Sequence, residues 1–174
     1  MRIFFTLVAL ILLQSPNPSQ AQSFDDAVRG NLALALKLCL SGQPSMEAWA
    51  QTFYAAGFTG RVDRATGNSD TTHYLSAPAD TVQVELYYGE MPEYCQVSSQ
   101  HLGVGDAATI LDLVAPQMRP GYRRGAQPST NGGAACVTYE DPTNPIGEIV
   151  GVISQAQLAC AEDGTVLFYI SYRV

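Results

Sequence analysis

The order of apolar periodicities predicts an α+β fold, with helices packed on one face of a mainly antiparallel β-sheet in the order ααβββαβββ(β) and two disulfides. Three observations carry this. Apolar spacing is helical in residues 24–40, 45–56 and 106–118 but alternates with period two in 81–88 and 165–173. The period-two runs follow one another across short turns, as in an antiparallel meander with one wet face. Four cysteines form an even set behind an export-type leader.

That leader occupies residues 1–21. Met1-Arg2 gives a short positive start, and residues 3–13 are apolar except for Thr6. Pro16 and Pro18 follow, and Ser19-Gln20-Ala21 puts small residues at −3 and −1 of a cleavage point. The apolar run is shorter than the roughly 20 residues needed to cross a bilayer. It reads as a secretory signal, leaving 22–174 as a single domain of about 150 residues. The short positive start points to a bacterium, hence to a periplasmic or secreted product. No cysteine at the new N-terminus invites a lipid anchor, and no later run is long enough for a membrane span.

Ser23 caps the first helix, with Asp25 and Asp26 at its positive end. Val28, Leu32, Ala35 and Cys39 draw one apolar stripe, and Gly42 falls where a left-handed C-terminal cap belongs. A second helix enters through Pro44 and stops at Gly57, with Met46, Trp49, Ala50 and Phe53 on its apolar side. Residues 60–71 are rich in Gly, Asp, Asn, Ser and Thr and read as a loop with at most a short strand near Arg61-Val62. Val82, Val84, Leu86 and Tyr88 then alternate with polar neighbours, flanked by weaker strands at 72–77 and 94–101. Asp106 is expected to cap a third helix, on which Ile110, Leu111, Val114 and Met118 share a face. Residues 119–133 hold Pro/Gly clusters without periodicity and form the longest loop. Strands are expected at 134–139, 149–154, 157–162 and 165–173, with Asp163-Gly164 as a two-residue hairpin turn and Gly147 and Gly151 marking a bulge.

The cysteines Cys39, Cys95, Cys136 and Cys160 allow three pairings. Cys39–Cys95 with Cys136–Cys160 needs the fewest long-range assumptions, because Cys39 and Cys95 both lie on core-facing stripes and the other two are a hairpin apart. Closing those loops is worth about 4 and 3.5 kcal/mol in the chain-entropy account.

Composition narrows the function classes. The chain carries 9 Lys+Arg against 16 Asp+Glu, and losing Arg2 with the leader makes it more acidic still. An acidic chain with one lysine, Lys37, is unsuited to nucleic acid, where phosphate neutralisation dominates affinity. Metal motifs are absent, and no cofactor is expected. Gly103-Val104-Gly105-Asp106-Ala107-Ala108 fits the dinucleotide pattern G-x-G-x-x-A, but the preceding strand is too polar and no βαβ unit follows, so a turn with a helix cap explains it. The carboxylate pairs at 25–26, 140–141 and 162–163 sit at element ends, where capping and turns account for them.

Two constellations remain. Arg119, Tyr122, Arg123 and Arg124 concentrate positive charge on a long loop and could grip a carboxylate or phosphate. Tyr87 and Tyr169 are expected on the outer sheet face, where aromatics suit recognition. Together they suggest a small non-catalytic binding or accessory protein of the bacterial envelope, with a protein or small anionic ligand as partner. The alternative is a small secreted hydrolase using His73 or His101, with Asp70, Ser98 or Ser99 at hand. A histidine within hydrogen-bond reach of a serine or carboxylate would favour the enzyme; isolated histidines and an open tyrosine-bearing sheet would favour the binder.

Overall fold

In the computed structural model, which describes residues 23–65, 70–89, 93–125, 135–144 and 147–172, three helices cover one face of an eight-stranded antiparallel sheet. Residues 1–22, which hold the expected leader, and parts of the long loops, including 126–134, lie outside the described residues. The first half contributes α1 (Phe24–Leu40), α2 (Met46–Ala55), β1 (Thr59–Arg64), β2 (Thr71–Ser76), β3 (Gln83–Tyr88) and β4 (Tyr94–Ser99). The second contributes α3 (Val104–Met118), β5 (Arg123–Gly125), β6 (Val137–Glu140), β7 (Glu148–Ile153) and β8 (Val166–Tyr172).

Strand order is β1-β2-β3-β4-β8-β7-β6-β5. Each half is thus a helix-led, four-stranded meander, and the two last strands join at the centre with Val97 opposite Phe168. Exchanging β1–β4 for β5–β8 leaves the order unchanged, which is the arrangement of a pseudo-two-fold axis between β4 and β8. No residue-by-residue match accompanies it.

The expected class and pairing hold. Cys39 on α1 bonds Cys95 on β4, and Cys136 bonds Cys160, with Cα separations of 5.8 and 4.8 Å. The predicted stripe of α1 is buried at Val28, Leu32, Ala35 and Cys39. Ser23 caps it by accepting from the Asp26 N–H, and Gly42 takes the left-handed conformation at φ 63°. Phe53 of α2 and Phe58 after its stop meet edge to face in the core, 5.2 Å apart. Leu36, Leu111, Val97 and Phe168 join them in one apolar layer between helices and sheet. Each fully buried side chain of this size contributes about 1.5–3 kcal/mol.

Several elements differ from expectation, each for a physical reason. β1 is a full six-residue edge strand, although five of its residues are exposed. It is held by backbone pairing to β2, so it needs no apolar alternation. Residues 157–162 are not a strand: Leu158 sits at φ 52°, and Cys160 is drawn to Cys136. Asp163 and Gly164 therefore close the end of a longer loop, not a two-residue hairpin; the Asp163 carboxylate accepts from Ser154 and Thr165. The fourth strand of the second half is β5, inside the segment expected to be loop. α3 is capped by Gly103, and Asp106 lies within its first turn, paired with Arg29 at 2.7 Å. β7 runs without a bulge; Gly151 is needed because a Cβ there would stand 2.2 Å from the Tyr169 ring of β8.

Candidate functional site

The basic segment divides between interior and surface. Arg119, at the end of α3, places Nε 3.0 Å from Glu148 Oε1 on β7 and donates through Nη1 to the Leu40 carbonyl at the end of α1. The Tyr122 hydroxyl donates to the same Glu148 oxygen at 3.1 Å. Burial opposes the Arg119 charge, but the Glu148 hydrogen bond and charge outweigh it and keep the guanidinium protonated. Burial, then Glu148, pushes the Tyr122 hydroxyl up to about 12. Arg124 binds Asp112 of α3 at 2.8 Å, and the Tyr139 hydroxyl donates to that carboxylate as well. Arg123 is exposed on β5. Three of the four side chains thus engage partners of the fold, Arg124 at its surface, and Arg123 is exposed on β5.

The histidines stand apart. His73 lies on the helix-covered face of β2, 5 % exposed, with neither ring nitrogen hydrogen-bonded. His101 meets Phe24 edge to face at 5.1 Å, beside the start of α1. Ser99 is buried and donates to the Thr81 carbonyl, while Ser98 faces the other side of the sheet. No serine hydroxyl or carboxylate is hydrogen-bonded to either imidazole among the described residues.

The glycine-rich turn holds an anion of the chain's own. The Glu162 carboxylate accepts from the Gly105 N–H at the start of α3, and a Cβ at Gly103 or Gly105 would press on it. The electropositive helix end, where a phosphate would sit in a nucleotide site, is thereby occupied. Among the described residues no group of three or more His, Cys, Asp or Glu could hold a metal ion, and no helix is long and apolar enough to cross a membrane.

The open surface is the outer face of the sheet, away from the helices. Register aligns Arg61, Tyr74, Glu85, Gln96, Tyr169 and Gly151 in one row across β1, β2, β3, β4, β8 and β7. Its two ends differ. Around Gly151 the Tyr169 ring packs with Leu167, Ile153 and Ala135 in a small buried cluster. Across β1–β4 the face forms a groove of about 670 Å³ of mixed character, lined by Arg61, Tyr74, Gln83, Glu85, Gln96 and Ser98, with Leu167 of β8 among its apolar residues. Gln155 and Leu158 of the β7–β8 loop close one side.

Cross-strand chemistry fixes this floor. The Arg61 guanidinium lies 4.4 Å above the Tyr74 ring and pairs with Asp63. The Tyr94 hydroxyl donates to Glu85 at 2.6 Å; burial, then that bond and its charge, raise the Tyr94 hydroxyl far above its usual range. Tyr87 stacks on Tyr94 with centroids 5.0 Å apart and is buried by that contact. The two tyrosines expected on the outer face are there, but packing covers much of both. Tyr74, more exposed, was legible from its alternation with His73 and Leu75. The groove joins one guanidinium, already balanced by Asp63, to one carboxylate and several amide and hydroxyl groups. It can donate and accept hydrogen bonds to an uncharged polar ligand, and among the described residues its Ser98 hydroxyl is not hydrogen-bonded to a histidine or carboxylate. No family model matches the chain, and no curated protein or solved structure is significantly similar to it.

Proposed function

We propose that the chain is a small exported, non-catalytic binding or accessory module of the bacterial envelope that takes its ligand on the outer face of the first half-sheet. One observation carries this reading: a groove of about 670 Å³ on a rigid sheet floor, whose amides and hydroxyls project from β2, β3 and β4. Side chains held on paired strands bind without the cost of ordering a loop. The leader pattern and the two disulfides support export to an oxidising compartment. With Arg119 tied to Glu148, Arg124 paired with Asp112 at the surface and Arg61 balanced by Asp63, the groove suits an uncharged polar segment of a protein or small molecule better than an anion.

The test uses the mature protein and a Gln83→Ala/Gln96→Ala variant, both side chains lying at the groove surface. The variant is expected to fold with an unchanged melting temperature and to lose at least about tenfold in affinity for any envelope component the parent retains, about 1.4 kcal/mol. Equal retention by both proteins would move the contact off this face. Release of a hydrolysis product from that component, abolished by His73→Ala or His101→Ala, would restore the enzyme reading.

A further inference from the structure

Among the described residues, the outer edge of β1 is a row of backbone groups with no strand beside it. β1 has a single neighbour, β2. The Ala65 N–H donates to the Asp70 carbonyl at 3.0 Å, which fixes the hydrogen-bond phase of the ladder whose register sets Arg64 against Thr71. Stepping back by twos, Thr59, Arg61 and Asp63 turn their N–H and C=O groups towards β2. Gly60, Val62 and Arg64 turn theirs outward.

We propose that this edge pairs antiparallel with the same edge of a second copy of the chain, about a two-fold axis at Val62. In that register Val62 meets Val62 of the other copy and Gly60 meets Arg64, so all the outward backbone groups from 60 to 64 are used. Arg61 then stands opposite Asp63 of the other copy, twice by symmetry, on the outer face. These are non-hydrogen-bonded positions, where opposed side chains come closest. The Arg61–Asp63 ion pair seen within one chain becomes part of a four-charge array of alternating sign.

Neighbouring symmetric registers lack this fit. An axis at Gly60 sets Arg61 against Thr59, and one at Arg64 sets two guanidiniums face to face. Charges on an edge strand usually keep other strands away. A repelling edge needs one sign, however, whereas the sequence Arg61-Val62-Asp63 is complementary to itself when reversed. Closed two-fold pairing uses up the edge and so does not propagate into fibres. The inference is independent of which ligand occupies the groove.

The experiment is sedimentation equilibrium of the mature, oxidised protein at physiological salt, with charge-swapped variants. The parent is expected to dimerise reversibly. Arg61→Asp alone places carboxylates against carboxylates, and Asp63→Arg alone places guanidiniums against guanidiniums. Each is expected to weaken self-association by about tenfold or more. An equimolar mixture of the two variants restores opposite charges at both positions and is expected to form the mixed dimer. Val62→Pro removes an outward N–H without touching the β1–β2 ladder and should also give monomer. A parent that stays monomeric to about 1 mM, a limit of roughly 4 kcal/mol, would overturn the proposal. So would a parent dimer indifferent to all three substitutions, or a mixture no more associated than its components.

Discussion

His73 concentrates the residue-scale argument. Its ring is buried on β2 opposite Leu86 and Val62, and neither nitrogen has a partner. Burial lowers its proton affinity; the Glu47 charge on α2 opposes this and the Arg64 charge adds to it. The folded chain therefore holds the imidazole neutral below the pH at which the unfolded chain protonates it, near 6.5. The sign follows from linkage. Stability is fully present above about pH 6.5 and falls as the pH drops towards the lower folded value, because the unfolded state binds the proton first. Each unit of separation between the two values is worth about 1.4 kcal/mol. Urea unfolding of the parent should weaken between pH 7 and pH 5, and His73→Leu should remove most of that slope. An unchanged slope in the variant would assign the acid sensitivity to other groups. On a half-wet strand His73 reads as a surface residue, and the structure corrects this: it alternates in step with Leu75 and Ala77 and is buried with them. The hold of Glu162 on the glycine turn left no trace in the sequence, because 57 residues separate it from Gly105.

At the scale of elements, legibility followed the source of stabilisation. α1, α2, β3 and β8 bury an apolar stripe, and their periodicity revealed them. β1 and β5 are edges held by backbone pairing, with exposed side chains, so composition alone read them as loop. The 157–162 segment failed in the opposite way: Leu158 and Cys160 alternate, but a disulfide and a left-handed backbone hold them off the sheet. The segment after α3 shows how one basic run can serve two ends. Arg119 joins the ends of α1 and α3 to β7 through Leu40 and Glu148, whereas Arg123 and Arg124 lie on exposed β5. Arg119→Ala would leave Glu148 part-buried with Tyr122 as its remaining donor among the described residues and is expected to cost about 2–3 kcal/mol, less than the roughly 3–5 kcal/mol of a fully buried pair because both side chains keep some exposure. Arg123→Ala with Arg124→Ala breaks the exposed Arg124–Asp112 bridge and the Arg124 contact with Tyr139, and should cost less than about 1 kcal/mol. Thermal unfolding of the two variants side by side measures the contrast. Equal losses would mean that β5 is as firmly tied into the structure as the α3–β7 joint.

For the whole molecule, the question is whether two similar halves behave as one. Each disulfide stays within its own half, Cys39–Cys95 in the first and Cys136–Cys160 in the second. Among the ties that cross between them are the β4–β8 ladder, the packing of α1 on α3, the Arg29–Asp106 bridge, the Arg119 hydrogen bond to the Leu40 carbonyl and a continuous apolar layer from Phe53 to Val152. The element order hinted at this doubling, but the residues at matching positions share no pattern, because each half is packed against the other and not against a copy of itself. A shared core of this kind makes unfolding cooperative across the seam. The chain has one tryptophan, and Trp49 on α2 reports on the first half, its ring N–H donating to the Leu38 carbonyl at 2.8 Å. Replacing Cys136 and Cys160 by serine removes a crosslink from the second half only and should lower stability by about 3.5 kcal/mol. If the halves unfold together, the Trp49 fluorescence midpoint in urea shifts by the whole of that loss and coincides with the far-ultraviolet circular dichroism midpoint. A Trp49 transition that stays at the parent's midpoint while the dichroism falls early would mean that the ladder between β4 and β8 joins two independently folding units.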